Sequence, residues 1–172
     1  MSEEIFDIVN ERDEVIGQLP RSQVHAEKHL HRAVHIFVLN TQGELLLQKR
    51  SATKDEYPHC YTSSASGHVS SGETYDETAP RELEEELGIT GELTRLTKIP
   101  GTPDNAREHA VLYELITDAI VTPDPGEIAS ICHLSLGEVD ALIDSRPEDF
   151  TPPFRQLYLW YRQAHNTTGR TE

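Results

Sequence analysis

The sequence predicts an α/β fold, a mixed sheet covered by helices on both faces. Three observations carry that expectation. Short β-rich apolar runs recur between turn residues, stretches of helical spacing are interspersed with them, and 172 residues suit one domain that buries roughly 70% of its unfolded surface. The chain is therefore expected to be a single unit over residues 1–172, with residues 1–30 as an N-terminal hairpin and crossover and residues 31–164 as the core and C-terminal helices.

The elements follow in order. Ile5 to Val9 and Val15 to Gly17 flank Asn10-Glu11-Arg12-Asp13, which reads as a β-hairpin. Residues 19–32 are polar and histidine-rich, a turn or short helix crossing to the main sheet. Ala33 to Leu39 and Glu44 to Gln48 flank the turn Asn40-Thr41-Gln42-Gly43 and predict a second hairpin. Residues 51–66, with Pro58 and a Ser/Thr cluster, read as irregular. Helical spacing runs from Thr74 to Leu87 and stops at Gly88. Pro80 inside that stretch implies either a later start, capped by Asp76 or Thr78, or a bend. Strands are expected over Leu93 to Ile99, Ala110 to Ile116 and Ile131 to Leu134, and helices over Gly137 to Ile143 and Pro153 to Ala164.

With 36% hydrophobic and 26% charged residues, the composition is globular, and no apolar run is long enough to span a bilayer. The N-terminus has no basic stretch followed by an apolar one, so a cytoplasmic location is expected, without a membrane partner. A formal net charge of −15 argues against a nucleic-acid polymer, which needs clustered Lys and Arg. It leaves room for a small phosphorylated substrate if a metal supplies positive charge. Cys60 and Cys132 form no disulfide or zinc framework and read as buried small hydrophobes. A homodimer is the commonest assembly for such a chain.

The acidic segment Arg81-Glu82-Leu83-Glu84-Glu85-Glu86-Leu87-Gly88-Ile89 carries the chemistry. At about 100° per residue, Glu82, Glu85 and Glu86 share one arc, Leu83 and Leu87 form a separate apolar stripe, and Glu84 faces solvent. At about 6 Å and an effective dielectric of about 20, each carboxylate pair repels by roughly 3 kcal/mol. Solvation, protonation or a divalent cation relieves this, and hard oxygen ligands suit magnesium, or manganese. Arg81 can pair with Glu85 or with Glu73. A solvated acidic face is the plain alternative for any run of glutamates.

The full spacing decides between them. Gly67, Glu73, Arg81, Glu82, Leu83, Glu85, Glu86, Gly88 and Ile89 match G-x5-E-x7-R-E-U-x-E-E-x-G-U, where U is a bulky aliphatic. A chance match in a chain of this length is about one in ten million. The segment resembles the Nudix box, complete at every fixed position. The resemblance implies an α/β/α sandwich and attack of water on phosphorus in a nucleoside diphosphate-type substrate, with cleavage of a phosphoanhydride bond. It implies Glu82, Glu85 and Glu86 as metal ligands together with the Gly67 carbonyl, and Glu73 and Arg81 as a brace between loop and helix. Glu82, Glu86 and Glu108 are the candidate general bases, with a box glutamate favoured.

Beyond the box, Asp7 to Glu11, His29 to Ala33 and Tyr57 to Thr62 resemble the isopentenyl diphosphate isomerase branch of the same superfamily. Ser66 stands where that isomerase has its catalytic cysteine, and the intact box is a hydrolase feature, so hydrolysis is preferred to isomerisation. A silent nucleotide-binding module would be expected to lack box glutamates, all of which are present. The same branch implies a second metal site at His31, His68 and Glu108, with His25 as a further candidate. Lys49 and Arg50, ending a predicted strand, are the candidate phosphate contacts, and Phe37, Tyr57 and Tyr61 are the aromatics available to an organic group.

Overall fold

The computed structural model describes residues 2–167. The chain opens with the expected hairpin, β1 (Ile5–Val9) and β2 (Val15–Pro20), which forms a two-stranded sheet of its own. A short helix α1 (Arg21–Ala26) crosses to β3 (His31–Leu39), and β4 (Leu45–Arg50), β5 (Tyr61–Thr62) and β6 (Ala65–His68) follow. Next come α2 (Tyr75–Leu87), β7 (Thr94–Ile99), β8 (Glu108–Ile116), β9 (Ile128–Leu134), α3 (Leu136–Ser145) and α4 (Pro152–Thr167). The mixed sheet has seven strands, in the order β5-β4-β3-β8-β7, with β6 also on β3 and β9 also on β4.

The second hairpin is a hairpin only at its turn. β3 and β4 share the single pair Leu39↔Leu45 and then part. β3 runs parallel to β8 from His31↔Glu108 to Leu39↔Ile116 and antiparallel to β6 from Ala33↔His68 to Ile36↔Ala65. β4 pairs instead with β9 and β5. Ser64 sits in the fork: its hydroxyl donates to Leu46 O at 2.5 Å and accepts from Val38 N at 2.8 Å, satisfying backbone groups that the parting strands leave open. Residues 51–66 are accordingly not wholly irregular. They contain β5 and the start of β6, where a Ser/Thr-rich composition masks strands that hydrogen-bonded partners, rather than apolar alternation, hold in place.

Alternation along β3 divides the core. Val34, Ile36 and Val38 join Ala79, Leu83 and Leu87 of α2 on one face, while Phe37 and Leu39 join Phe154, Leu157, Tyr158 and Tyr161 of α4 on the other. α2 begins at Thr74, not later: the Thr74 hydroxyl accepts from Glu77 N at 3.2 Å, and the Glu77 carboxylate accepts from Thr74 N at 2.9 Å. Pro80 therefore lies inside the helix. It is tolerated because it is on the exposed face, where the Asp76 carbonyl that lacks its donor can meet water. The helix ends at Gly88, whose φ of 67° is left-handed. Cys60 and Cys132 are free and half-buried, so neither is the fully buried hydrophobe expected. No helix of the described residues is long and apolar enough to cross a membrane.

Candidate active site

Where β3 and β4 part, they leave a cleft of about 450 Å³, into which α2 presents one face. Glu82, Glu85 and Glu86 all line it, as do Gly67, Arg50 and Glu108. Glu84 and Glu85 are exposed, whereas Glu86 is buried at 6% exposure, so the three carboxylates of the shared arc span a gradient from solvent to interior. Glu86 Oε2 accepts from Gln48 Nε2 at 2.7 Å and from Ser66 N at 3.3 Å. Burial pushes the Glu86 carboxyl up to about 8, with the neighbouring Glu82 charge adding to the effect. Burial likewise raises Glu82, to about 7, against the opposing pull of Arg81. Both groups hold a proton more readily than an ordinary carboxyl, and a cation beside them would favour their ionised forms.

Gly67 explains itself at this point. A Cβ there would fall 2.2 Å from Glu82 Cδ and within 2.6 Å of both its carboxylate oxygens, so only glycine lets this carboxylate lie against the strand backbone. Gly67→Ala should displace Glu82 and lower kcat by at least about tenfold, since a shift of about 1 Å at a reacting centre can cost up to about 10²-fold. Unchanged turnover in a folded variant would remove Glu82 from the site.

Arg81 serves both of its predicted partners and a third. Its guanidinium donates to Glu73 at 2.8 and 3.1 Å, to Glu82 at 3.0 Å and to Glu85 at 3.1 Å, which ties the loop after β6 to the helix. Glu73 is held below its ordinary range by Arg81 and Thr78 in spite of partial burial. The N-terminal hairpin secures the same loop from outside: Ser71 N donates to Ile5 O at 2.8 Å, and Asp7 accepts from the Ser71 hydroxyl at 2.8 Å and from Gly72 N at 3.3 Å.

The two candidate phosphate contacts separate. Arg50 reaches the cleft, where its Nε donates to Glu56 O at 3.0 Å. Lys49 is not among the cleft residues; alternation along β4 turns it to the other face, over the Tyr61 ring at 5.8 Å. Of the three aromatics, Phe37 lies in the core beneath α4 and Tyr61 packs against Phe150, which leaves Tyr57 in the cleft. Gln48 and the buried pair His35 Nδ1 and Ser63 Oγ, 2.8 Å apart, are not among the sequence-predicted site residues, and Asp7 enters there only as part of the hairpin. Gln48 carried a readable signal: it shares the inward face of an apolar strand with Leu46, a polar residue where alternation calls for an apolar one.

The histidines gather beside the cleft. The rings of His25, His31 and His68 lie 5.1–5.2 Å apart, and one ligating atom from each comes within 4.8 Å of the others. His31 Nδ1 lies 2.9 Å from His29 O, which places its proton there and leaves Nε2 with a free lone pair. Among the described residues, His31 Nε2 and His25 Nε2 are buried without a hydrogen-bond partner, and burial brings both imidazoles down to about 4. Neutral, orphaned imidazole nitrogens facing one another fit a borderline transition metal. The expected set of His31, His68 and Glu108 does not come together as one group: Glu108, buried, instead shares His68 in a second group with Glu56, its Oε1 3.2 Å from His68 Nε2 and its Oε2 3.6 Å from His35 Nε2. Against its burial, the hydrogen bond with His68 and the nearby His35 imidazole hold its carboxyl well below the usual carboxylate range.

Comparison with known proteins bears on the family and the fold. A model of the NUDIX domain family matches residues 29–161. The Escherichia coli protein YfcD, described as an uncharacterized Nudix hydrolase, is 36% identical over 174 residues, covering 99% of this chain and 94% of that protein. A prenyl-diphosphate phosphatase of Methanosarcina mazei is 32% identical, covering 84% of this chain and 86% of that protein. The crystal structure of DR0079 from Deinococcus radiodurans superposes with a TM-score of 0.74 at 33% identity, covering 83% of this chain and 90% of that one.

Proposed function

Because the chain belongs to the Nudix family of hydrolases, we propose that it cleaves the phosphoanhydride bond of a small organic diphosphate of the nucleoside type, with magnesium, or manganese in its place. The observation that carries this reading is the pairing of Glu82 and Glu86, two carboxylates drawn in beside Gly67 and Ser66, with no ion pair to Glu86 among the described residues. Hard carboxylate oxygens and the Gly67 cradle fit a divalent cation, which Glu82, Glu85 and Glu86 would hold with the Gly67 carbonyl. When bound, the cation supplies charge to the phosphate oxygens and acidifies the attacking water.

The chain's own groups supply the rest. Arg81 and Glu73 keep the ligand face in register with the loop, and the Arg50 guanidinium meets a phosphate oxygen at the far wall. A box carboxylate, Glu82 or Glu86, takes the proton of the water. Glu108 is the weaker base, since two imidazoles hold it ionised. Apolar lining of the cleft is confined to Ala33, Tyr57, Gly67 and Pro153 among the described residues, which favours a compact polar group over a long isoprenoid chain.

Incubation with magnesium and a panel of nucleoside diphosphates and triphosphates, nucleotide sugars, dinucleotides and prenyl diphosphates tests the proposal. Chelator-sensitive release of a phosphate or nucleotide supports it; a panel left intact with metal demonstrably bound overturns it. The histidine cluster is proposed as a second, transition-metal site. Protein purified without chelator should carry near-stoichiometric zinc or manganese by mass spectrometry, and His31→Ala should lose it; an absence of such metal sinks that assignment.

A further inference from the structure

We infer that Tyr57 is a specificity-determining residue, a wall that limits the size of the organic group a diphosphate can carry into the cleft. This rests on the diphosphate reading above and adds which side chain selects among such compounds.

A second hollow, of about 240 Å³, lies next to the cleft and is lined by His25, Lys28, His31 and Arg107. Glu56 and Tyr57 line both spaces, so they form the partition between them. The partition is built at a conformational cost. Tyr57 has φ 47° and His59 has φ 65°, left-handed backbone that bulky L residues rarely adopt. The end of β4 holds this loop closed: His59 N donates to Arg50 O at 3.1 Å, Arg50 N donates to Cys60 O at 2.8 Å, and Arg50 Nε donates to Glu56 O. One residue thus anchors the strained turn and presents the candidate phosphate contact. That ties the Tyr57 turn to the residue proposed to contact the phosphate.

The ring itself is free for a ligand. Tyr57 is 38% exposed, and among the described residues no other aromatic ring packs against it, whereas Tyr61, Phe6 and Phe37 are each engaged by neighbouring rings. On the annex side, His25 Nδ1 lies 3.7 Å from Glu56 Oε1. Removing the Tyr57 ring would therefore open the cleft into the annex without touching the carboxylate face.

The test compares the unaltered chain, Tyr57→Phe and Tyr57→Ala on a series that shares one diphosphate core: ADP, ADP-ribose and diadenosine diphosphate. Both kcat/KM and calorimetric affinity for methylene-bridged analogues of the same compounds are measured. We expect Tyr57→Ala to raise the preference for the larger members relative to ADP by about tenfold in both readouts, and Tyr57→Phe to keep the original preference. A uniform loss across the series would mark Tyr57 as merely structural and overturn the inference, as would an unchanged preference. If nothing is cleaved but the affinity preference shifts in Tyr57→Ala, the inference stands and the hydrolase reading fails. A chain that neither cleaves nor binds any member overturns both.

Discussion

Glu86→Gln is expected to lower kcat by at least about two orders of magnitude while leaving the fold in place. The substitution keeps shape and volume at a position that is 6% exposed, so no cavity opens. The amide oxygen can still accept from Gln48 Nε2 and Ser66 N, which now hold Glu86 Oε2. What is lost is one negative charge facing the cleft and one group able to take a proton. Removing a ligand charge of this kind costs affinity and rate together. Glu84→Gln is the matched control: the same chemistry on an exposed position of the same helix, outside the cleft. Near-normal turnover in Glu86→Gln, with magnesium dependence intact, would mean that the buried carboxylate is structural and the metal is held elsewhere.

The contrast between Glu84 and Glu86 also shows how far the residues themselves could be read. Helical periodicity separated Glu82, Glu85 and Glu86 from Glu84, and the stripe Leu83 and Leu87 from both, because a regular helix obeys a fixed angle per residue. The cap at Thr74 is written in Thr74-x-x-Glu77, and Pro80 does not move the start of the helix because a proline on its solvent side has little to disrupt. Strands held by non-local partners were less legible. Nothing local in Ala33 to Gln48 says that β3 and β4 part after one pair, since the choice belongs to β8, β6 and β9, distant in sequence. The cleft arises from that parting. So its lining, including Arg50 but not Lys49, followed from topology more than from motif. Gly67 stood in the motif as a fixed position; only the contact with Glu82 says why.

Magnesium should raise the melting temperature more at pH 8.5 than at pH 6.8, and without it the melting temperature should fall across that interval. Glu82 and Glu86 have folded-state values of about 7 and about 8, raised from an ordinary 4.5, so the folded chain binds more protons than the unfolded one between those limits. Their contribution is fully present below about pH 4.5 and is lost as pH rises through about 7 to 8. His25 and His31 act in the opposite sense: both are brought down to about 4, so their neutral burial adds stability as pH climbs from about 4 to about 6.5 and nothing further beyond. Glu108, held below the usual carboxylate range, is ionised throughout and contributes no slope. Above about pH 6.5 the two box carboxylates add a falling slope, in the same direction as buried Glu56 and the raised thiols Cys60 and Cys132. A divalent cation binds their ionised forms and competes with the protons, so its affinity grows over the same interval. Ligand at about a hundredfold over its dissociation constant contributes about 2.7 kcal/mol, a readily measured shift by calorimetry or fluorimetry. Glu86→Gln supplies the internal check, since it should flatten the metal-free slope and shrink the magnesium gain at once. A magnesium effect equal at both pH values, or one that survives the substitution, would separate the metal from these carboxylates.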